Sequence, residues 1–589
     1  MTDASTTISR LPENAEFDVA VLGAGAAGMA AAVFAALKGA SVILIERTEY
    51  VGGTTAYSAG SAWIPNTRHA APDDSPERAK RYLDKAVGNR SSASMRDVFL
   101  KNGPLAVEEL ETRTDLKFSA RSLHPDYLYE LDGSTSHGRA LEPQPFDASP
   151  LGRDLKLVRP PIPEFTILGG LMVDRDDISH LLNLTKSLKS FCYAFRLLGS
   201  YLFQKVRFGR GTRLVMGNAM IGRLLKSALD LGVTIATQTE TEAFSGDENR
   251  IDGLVVRQGD VERKLTIRGG VILASGGFGR HPERRATLLP EPVLDYSPAA
   301  PGHTGALHDL AFAKGAGYGT GAEQNVFWAP CSVRKRPDGT TAVFPHFVMD
   351  RSKPGTICVD KNGRRFTNES RSYHEFGVAM YAADENGSSI PAYLIADAKA
   401  LTKYGLGMVR PGGRFLGPFL EDGYLVRANT PEDLAEKLGI DASALKQSIE
   451  RFNGFAETGV DEDFHRGETA YECVNGDATH KPNPTLGKLE TAPYYAVRLW
   501  PCDIGSATGL QTDENCRVLT ESEQPIEGLY ACGNDMQSVM GGVYPGPGIT
   551  IGPAITFAYV AANHACERAQ DGKSRASGDG GSRQNIGEN

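Results

Sequence analysis

A glycine-rich segment near the start of the chain has the residue types and spacing of a phosphate-binding turn. Gly23, Gly25 and Gly28 follow an apolar run and precede an alanine-rich stretch. In such a turn the first glycine permits the bend, the second lets the backbone approach a pyrophosphate, and the third lets helix and strand pack closely. The helix start then offers free N–H groups and partial positive charge to the phosphates. Glu46, which ends the next apolar run, is placed to accept hydrogen bonds from ribose hydroxyls.

Two other segments favour FAD over NAD as the dinucleotide. Gly52 and Gly53 form a turn suited to run beside a flavin, and a late apolar strand ends at Gly533 and Asn534, where it would complete the FAD site. No second GxGxxG turn with its own strand–helix–strand context follows. We therefore expect no NAD(P)H site, and we expect electrons to leave to an external acceptor such as a quinone or a dye.

The elements that must position these turns indicate an α/β fold. Apolar β-type runs at 17–22, 41–46, 233–237, 270–274 and 528–531 are separated by helical stretches. A chain of 589 residues is long enough for two large domains. We predict a Rossmann-like FAD-binding domain from 16–285 and 500–570, with an insertion near 150–210. An inserted α+β catalytic domain at 286–499 would cap the substrate, and the polar, aperiodic ends at 1–15 and 571–589 would be disordered tails.

Composition excludes several classes of function. The formal net charge of −9 disfavours nucleic acid as a partner. The eight cysteines are scattered without a CxxC pair, which favours reduced thiols and a cytoplasmic location. Four histidines lie near the motifs but lack metal-ligand spacing, so no metal is expected; they are His124, His137, His303 and His374.

The segment 176–205 combines many large apolar residues with interspersed lysines and arginines. One interpretation is a helix that packs on the protein or folds over a pocket. The other is a helix that lies on a membrane surface, which would give a possible peripheral membrane contact.

With these residues identified, the chain resembles the fumarate reductase and succinate dehydrogenase flavoproteins, and more closely the 3-ketosteroid 1-dehydrogenases. The segments that carry the resemblance are GGTTAYSAG at 52–60, GRRFTNE at 363–369 and YPGPGITIGP at 544–553. Fumarate reductases have an arginine proton donor four residues after the Glu of the second motif, where this chain has Tyr373. Their dicarboxylate-binding His and Arg also have no counterpart in the segment 541–546. A dicarboxylate substrate is therefore disfavoured, because its charges would be left unpaired.

The resemblance implies roles for four residues. Tyr373 would be the general base that takes a proton from the carbon next to a ketone, and Tyr127 would support it. The Tyr544 hydroxyl and the Gly548 N–H would stabilise the enolate oxygen that develops. Tyr129 is a rival for Tyr127, because it stands where the family more often has proline.

The motifs and the resemblance together imply a set of FAD contacts. These are Gly23, Gly25, Ala26, Ala27, Gly28, Glu46, Arg47, Gly53, Thr54, Thr55, Ser58, Ala59, Gly60, Ala274, Ser275, Gly276, Gly533, Asn534, Gly548, Ile549 and Ile551. The leading function is FAD-dependent 1,2-desaturation of a 3-ketosteroid, with the β hydride transferred to flavin N5. The alternatives are desaturation of smaller cyclic ketones such as cyclohexanone derivatives, an ene reductase, and a flavin-binding electron carrier without a substrate.

Overall fold

The chain folds around two large β-sheets, and the computed structural model describes residues 7–247, 249–347 and 350–579, apart from the side chains at 175, 176, 182 and 574–579. The strands are β1 (Asn14–Leu22), β2 (Val42–Ile45), β3 (Ala62–Trp63), β4 (Phe118–Ala120), β5 (Ala140–Pro143), β6 (Phe146–Asp147), β7 (Thr166–Ile167), β8 (Leu171–Met172), β9 (Arg213–Leu214), β10 (Thr234–Ala236), β11 (Glu240–Ser245), β12 (Gly253–Gln258), β13 (Val261–Leu273), β14 (Val326–Lys335), β15 (Thr341–Pro345), β16 (Thr356–Val359), β17 (Ala392–Ala396), β18 (Val426–Ala428), β19 (Tyr494–Ser506), β20 (Arg517–Leu519) and β21 (Pro525–Ala531). The α-helices are α1 (Ala26–Leu37), α2 (Pro76–Val87), α3 (Ala93–Arg113), α4 (Arg175–Leu182), α5 (Leu188–Phe208), α6 (Met216–Asp230), α7 (Pro282–Leu288), α8 (Ala306–Phe312), α9 (Tyr373–Ala382), α10 (Ala398–Tyr404), α11 (Gly417–Glu421), α12 (Pro431–Leu438), α13 (Ala442–Thr458), α14 (Ala470–Asn475) and α15 (Ile551–Asp579).

The first sheet carries the glycine-rich turn and has the strand order β10-β2-β1-β13-β12-β11, with β21 beside β13 and β20 beside β21. The strands β10, β2, β1, β13 and β21 run parallel. Each of the five predicted β-type runs overlaps one of these strands. Because the carboxyl ends of parallel strands meet at one edge, the turns that follow β1, β13 and β21 come together there.

One of these strands is much longer than predicted. The expected strand at 270–274 is the second half of β13, which pairs in parallel with β21 at Val271↔Leu529. The first half of β13 pairs antiparallel with β12, as at Leu254↔Leu265, and alternates between exposed and buried residues. The apolar run at 270–274 therefore predicts only the second half of β13, because only that half is buried on both faces.

The helix that follows the glycine turn is buried almost completely. Residues 26–35 of α1 are all buried, and eight of the twelve residues of the helix are Ala or Gly. Small side chains let α1 pack closely between the first sheet and the C-terminal helix α15. The start of α1 is thereby held at the edge where the strands end.

The second sheet is antiparallel and has the order β15-β14-β19-β17-β16, with β18 also on β19. Its two faces bear separate apolar clusters, one with α12 and α13 and one with α9 and α10. This is the inserted α+β part of an α/β flavoprotein fold. The strand β19 runs on to Ser506, past the predicted boundary at 499.

Both ends of the chain differ from the predicted tails. Ile8 is fully buried in a short 3-10 helix (Ile8–Arg10), and β1 already begins at Asn14. At the other end α15 continues to Asp579, beyond the expected start of a tail at 571. The polar composition of both ends led to the wrong prediction. The first residues of β1 alternate between exposed and buried, and the polar end of α15 continues a helix whose first turns are buried. The remaining tail positions, 1–6 and 580–589, lie outside the described residues.

Candidate active site

The glycine-rich turn is shaped to hold a pyrophosphate. Gly23 has a φ of +106°, and a Cβ atom there would lie 2.4 Å from the Ala274 oxygen. A Cβ on Gly28 would lie 1.8 Å from the Gly23 oxygen, so α1 can pack this closely against the turn only because residue 28 is glycine. A Cβ on Gly25 would meet nothing within 4 Å, which leaves its backbone open to the cavity. The residues present therefore fit the phosphates of FAD at the start of α1.

Glu46 directly follows β2 and is 7% exposed. Its carboxylate accepts hydrogen bonds from the Ala24 N–H at 2.9 Å and from the Thr48 N–H and hydroxyl at 2.8 and 2.7 Å. These bonds tie the carboxylate to the glycine turn and leave it on the cavity wall. Its predicted contact with the ribose remains a prediction.

The Gly-Gly-Thr turn lies against the start of α1. The Thr55 hydroxyl accepts from the Ala26 N–H at 3.2 Å, and the Thr54 hydroxyl accepts from the Ala300 N–H at 2.9 Å. Thr54 also lies 3.3 Å from Nε2 of His303, which is 8% exposed. Burial lowers the pKa of His303 to about 4, so the imidazole is neutral at physiological pH.

Asp535 fixes the turn after β13. Its buried carboxylate accepts from the Ser275 hydroxyl at 2.9 Å and the Gly277 N–H at 2.8 Å, and it lies 3.1 Å from Nε2 of His308. Although burial alone would raise it, the pKa of Asp535 is lowered by His308 and these hydrogen bonds. Asp535 and His303 were missed as site residues, because a lone acid and a lone histidine carry no spacing signal.

A single cavity of about 1270 Å³ extends from this edge to the second sheet. Four residues with predicted catalytic roles lie on its wall: Tyr127, Tyr373, Tyr544 and Gly548. The predicted FAD contacts on the wall are Gly23, Gly25, Ala26, Ala27, Glu46, Arg47, Gly53, Thr54, Thr55, Ser58, Ala59, Gly60, Ala274, Ser275, Gly276, Gly533, Asn534, Gly548 and Ile551. Gly28 and Ile549 do not line it, because Gly28 packs on Gly23 and Ile549 is 1% exposed in the core.

Three tyrosines from distant parts of the chain meet in the cavity. The ring centroids of Tyr373 and Tyr544 are 5.0 Å apart, and that of Tyr127 is 5.6 Å from the first and 5.8 Å from the second. The Tyr127 hydroxyl lies 3.5 Å from that of Tyr373. Tyr127, and not its rival Tyr129, faces the cavity.

A fourth tyrosine, Tyr471, stands behind the group and was not predicted. Its ring is 4.7 Å from that of Tyr127 and is 3% exposed. Within the described part of the chain its hydroxyl has no hydrogen-bond partner. Tyr471 therefore supports the Tyr127 ring by packing, at the cost of one unsatisfied polar atom.

Burial controls the charge of the tyrosine group. It raises the pKa of Tyr544 to about 12, against a smaller lowering by the Tyr373 hydroxyl. Burial raises the pKa of Tyr373 well above its usual value, and the neighbouring phenols raise it further. One local feature opposes this, since Tyr373 is the first residue of α9, where the helix dipole favours negative charge. Burial therefore favours the neutral form of Tyr373 and Tyr544.

Gly548 lines the same cavity and has no side chain that could cover its backbone. Its φ is +94°, and a Cβ atom would lie 2.2 Å from the Ser61 oxygen, so only glycine fits. The Gly548 oxygen accepts from the Trp63 N–H at 3.0 Å, which fixes the peptide. Among the described residues the Gly548 N–H has no recorded acceptor. Gly548 and Tyr544 both lie on the wall of the cavity.

Beyond the tyrosines much of the cavity wall is apolar. The apolar side chains there are Ile162, Phe165, Ile167, Met172, Ile178, Leu181, Phe344, Phe347, Leu406, Met408 and Val409. They come from the 150–210 insertion and from the second sheet and its loops. Polar and charged residues also line the cavity, among them Arg121, His124, Glu142, Glu164, Asp174, His346, Asp350 and Arg410. A substrate bound here can therefore combine apolar contacts with a limited set of polar ones.

Comparisons with known proteins show what the chain is similar to. The model of the FAD binding domain family matches residues 18–551. The chain is 38% identical to 4-oxocyclohex-2-ene-1-carboxylate 5-dehydrogenase of Sinomonas cyclohexanicum over 92% of both chains. It is 37% identical to 3-oxosteroid 1-dehydrogenase of Mycolicibacterium smegmatis over 93% of this chain and 96% of that protein.

A solved structure is similar over almost the whole chain. It is the 3-ketosteroid delta1-dehydrogenase from Sterolibacterium denitrificans, in complex with 1,4-androstadiene-3,17-dione. The identity is 35%, the TM-score is 0.87, and the match covers 94% of this chain and 99% of that one. With FAD as its cofactor, the chain belongs to the 3-ketosteroid 1-dehydrogenase family of FAD-dependent oxidoreductases.

Proposed function

We propose that the protein desaturates a 3-ketosteroid between C1 and C2. The observation that carries the proposal is the meeting of Tyr127, Tyr373 and Tyr544 on one wall of a largely apolar cavity. FAD, when bound, supplies the acceptor for the hydride from C1. The residues of this chain then have two tasks: to stabilise charge on the ketone oxygen and to take the proton from C2.

The first task falls to Tyr544 and Gly548. In the proposed complex the C3 oxygen accepts hydrogen bonds from the Tyr544 hydroxyl and the Gly548 N–H. Because Tyr544 has a pKa of about 12, it stays protonated and keeps its donor. A donor aimed at such an oxygen in a dry site contributes roughly 2.7–4 kcal/mol to the stability of the transition state.

The second task falls to Tyr373. A phenol held neutral by burial cannot take up a proton unless its own proton moves away at the same time. We propose that this proton passes to the oxygen of Tyr127, which lies 3.5 Å away, while the Tyr127 hydroxyl releases its own proton to a water molecule that enters the cavity. Tyr127 is thus a relay for the base, and Tyr471 holds the relay in position by packing on its ring.

The cavity wall favours a large apolar ketone. Of three arginines on the wall, Arg121 pairs with Glu142, whereas Arg159 donates to the Thr48 hydroxyl and Arg410 donates to the Thr166 carbonyl. A carboxylated ring ketone would need to bind one of these guanidinium groups. Fused hydrocarbon rings need only the apolar wall.

The second candidate is a dehydrogenase of smaller ring ketones. It is favoured by the relative named 4-oxocyclohex-2-ene-1-carboxylate 5-dehydrogenase, which is as similar as the steroid enzymes. Either substrate would use the same tyrosines. In both cases we propose an external acceptor, a quinone or a dye, for the electrons.

Anaerobic bleaching of the bound flavin tests the proposal. A substrate should remove the flavin absorbance without any added acceptor, and a later dye should restore it. We expect 4-androstene-3,17-dione to bleach the protein and 4-oxocyclohexanecarboxylate to leave it yellow. The reverse result would replace the steroid by the small ketone, and bleaching by neither would contradict both.

A further inference from the structure

Tyr82 of α2 is a buried tyrosine that joins two catalytic segments without lining the cavity. It is 0% exposed, and the cavity wall does not include it. Its hydroxyl donates to the Pro545 carbonyl at 2.6 Å and accepts from the Leu128 N–H at 3.3 Å. Pro545 directly follows Tyr544, and Leu128 directly follows Tyr127. The hydroxyl therefore connects the segment of the proton relay with the segment of the donor to the ketone oxygen.

A direct bond supports the connection made by Tyr82. The Tyr127 N–H donates to the same Pro545 carbonyl at 2.8 Å, so this carbonyl accepts two hydrogen bonds. The rings of Tyr127 and Tyr544 are nearly parallel, at 14°, with centroids 5.8 Å apart. Because the two segments share one acceptor, main-chain contacts as well as ring packing set the separation of the two phenols.

Trp63 makes a second connection between the same segments. Its indole N–H donates to Asp126 at 2.8 Å, and its main-chain N–H donates to the Gly548 carbonyl at 3.0 Å. Asp126 directly precedes Tyr127. A Cβ on Gly546 would lie 2.5 Å from the Trp63 ring, so the turn before Gly548 packs directly on the indole. Trp63 and Tyr82 therefore hold the relay segment on both sides of Tyr127.

Arg139 packs against both aromatic rings. Its guanidinium lies 5.3 Å from the ring centroid of Tyr82 and 5.9 Å from that of Trp63. It donates to Asp126 at 2.8 Å and makes two bonds to Asp74, at 2.8 and 2.6 Å. The arginine and both carboxylate side chains are at most 2% exposed. A buried polar network whose members are paired in this way is rigid and favours one geometry.

We propose that Tyr82 is a positioning residue whose hydroxyl sets the distance between the Tyr127 relay and the Tyr544 donor to the ketone oxygen. This role rests on the part of the two tyrosines in the proposed reaction, and it does not depend on the size of the ketone. A displacement of about 1 Å between groups that act on one substrate can lower a rate by about 10²-fold. Removal of the hydroxyl leaves the ring and the direct Tyr127–Pro545 bond in place, so we expect a smaller loss of about ten-fold.

Stopped-flow reduction of the bound flavin by 4-androstene-3,17-dione tests this role in Tyr82→Phe. The rate at saturating ketone should fall about ten-fold, and the dissociation constant should change less than about two-fold, because Tyr82 does not touch the substrate. The kinetic isotope effect with ketone deuterated at C2 should rise, because proton removal becomes slower relative to the other steps. Flavin content per protein checks that the variant folds.

Tyr530→Phe is the matched control. Tyr530 is also 0% exposed, its hydroxyl lies 2.8 Å from Nδ1 of His564, and it does not line the cavity. This variant should lose a similar amount of melting temperature, because it too loses one hydrogen bond. It should keep the reduction rate and the isotope effect of the parent.

A double-mutant cycle with Tyr127→Phe shows whether Tyr82 acts through the relay. In the Tyr127→Phe background, Tyr82→Phe should lower the reduction rate less than about two-fold, because no relay hydroxyl remains to be misplaced. A ten-fold loss in that background, an unchanged rate in Tyr82→Phe alone, or equal losses in Tyr82→Phe and Tyr530→Phe would overturn the proposal. If only the small ring ketone reduces the flavin, the steroid function is refuted, and the same cycle with that ketone decides the role of Tyr82. A flavin that neither ketone reduces would overturn both.

Discussion

The hydroxyl of Tyr127 lies 3.5 Å from the hydroxyl of Tyr373, and the two rings meet edge to face with centroids 5.6 Å apart. These residues are 246 positions apart in the sequence. Tyr127 comes from the loop before β5 and Tyr373 from the start of α9, so the pair joins the two parts of the fold across the cavity. A proton relay between them therefore requires both parts to be in place.

Replacing Tyr373 by phenylalanine should remove the base. We expect kcat to fall by about 10²–10⁴-fold while the flavin absorbance per protein stays unchanged. Steady-state dye reduction and the bound-flavin spectrum measure the two quantities. Tyr129→Phe is the matched control, because Tyr129 does not line the cavity, and it should leave kcat unchanged. Normal turnover of Tyr373→Phe would exclude this residue as the base.

Replacing Tyr544 by phenylalanine should remove one donor to the ketone oxygen. The expected loss in kcat is about 10²–10³-fold, because one of two hydrogen-bond donors to the oxygen is removed. A ketone that perturbs the flavin spectrum of the parent should bind the variant more weakly. If turnover falls but the affinity for such a ketone is unchanged, the hydroxyl does not contact the oxygen in the ground state.

Tyr471→Phe should stabilise the protein and leave turnover almost unchanged. Its hydroxyl is buried without a partner in the described part of the chain, so its removal should raise the free energy of unfolding by about 1 kcal/mol. The ring that packs on Tyr127 remains, and kcat should change less than about two-fold. Thermal unfolding of the FAD-loaded protein measures the first effect. A lower melting temperature would mean that the hydroxyl has a partner, such as water.

Two alanine substitutions in the phosphate turn should separate binding from folding. A Cβ on Gly25 meets no protein atom, so Gly25→Ala should fold and lose FAD affinity, because the methyl group occupies the phosphate space. A Cβ on Gly28 would lie 1.8 Å from the Gly23 oxygen, so Gly28→Ala should destabilise the protein itself. Flavin content and the melting temperature of the apoprotein distinguish the two. Tight FAD binding by Gly25→Ala would place the phosphates elsewhere.

Acid should weaken the second sheet through Glu369. Burial would raise the pKa of this carboxyl, but Arg365 and Arg466 hold it at about 2, below the usual 4.5. A lowered pKa in the folded state stabilises the protein above pH 4.5, and this contribution is lost as the pH falls toward 2. Glu369→Gln should therefore cost on the order of 3 kcal/mol at pH 7 and flatten the dependence of stability on pH below 4.5. The exposed Glu468→Gln is the control and should keep the slope of the parent.

Local patterns were sufficient to predict the FAD-binding sheet. The strands 17–22, 41–46 and 528–531 are short and apolar on both faces, so their residue types alone indicate a buried parallel sheet. The glycines of the first turn have fixed tasks that follow from backbone geometry. The resemblance then supplied Tyr373 and Tyr544, whose positions on the cavity wall could not come from spacing in the sequence.

The residues that were missed all act through long-range contacts. Asp535 holds a turn 258 residues away, and Tyr471 packs on a ring from another part of the fold. An isolated acid or tyrosine looks the same in the sequence whether it is buried at a site or exposed. The first half of β13 was missed for a different reason, since its alternation of polar and apolar residues reads as surface until β12 is known to pair with it.

The length of β19 restricts how the second sheet, which covers one end of the cavity, can move relative to the first sheet. This strand belongs to the second sheet, yet near its end Ser506 accepts a hydrogen bond from the Phe278 N–H at 3.0 Å, and Asp503 pairs with Arg285 at 2.6 Å. A swinging motion of the whole second sheet would break these buried bonds, each of which is costly to leave unmade. We therefore expect ligand exchange to use local displacement at the far rim of the cavity, while the wall with the three tyrosines keeps its position.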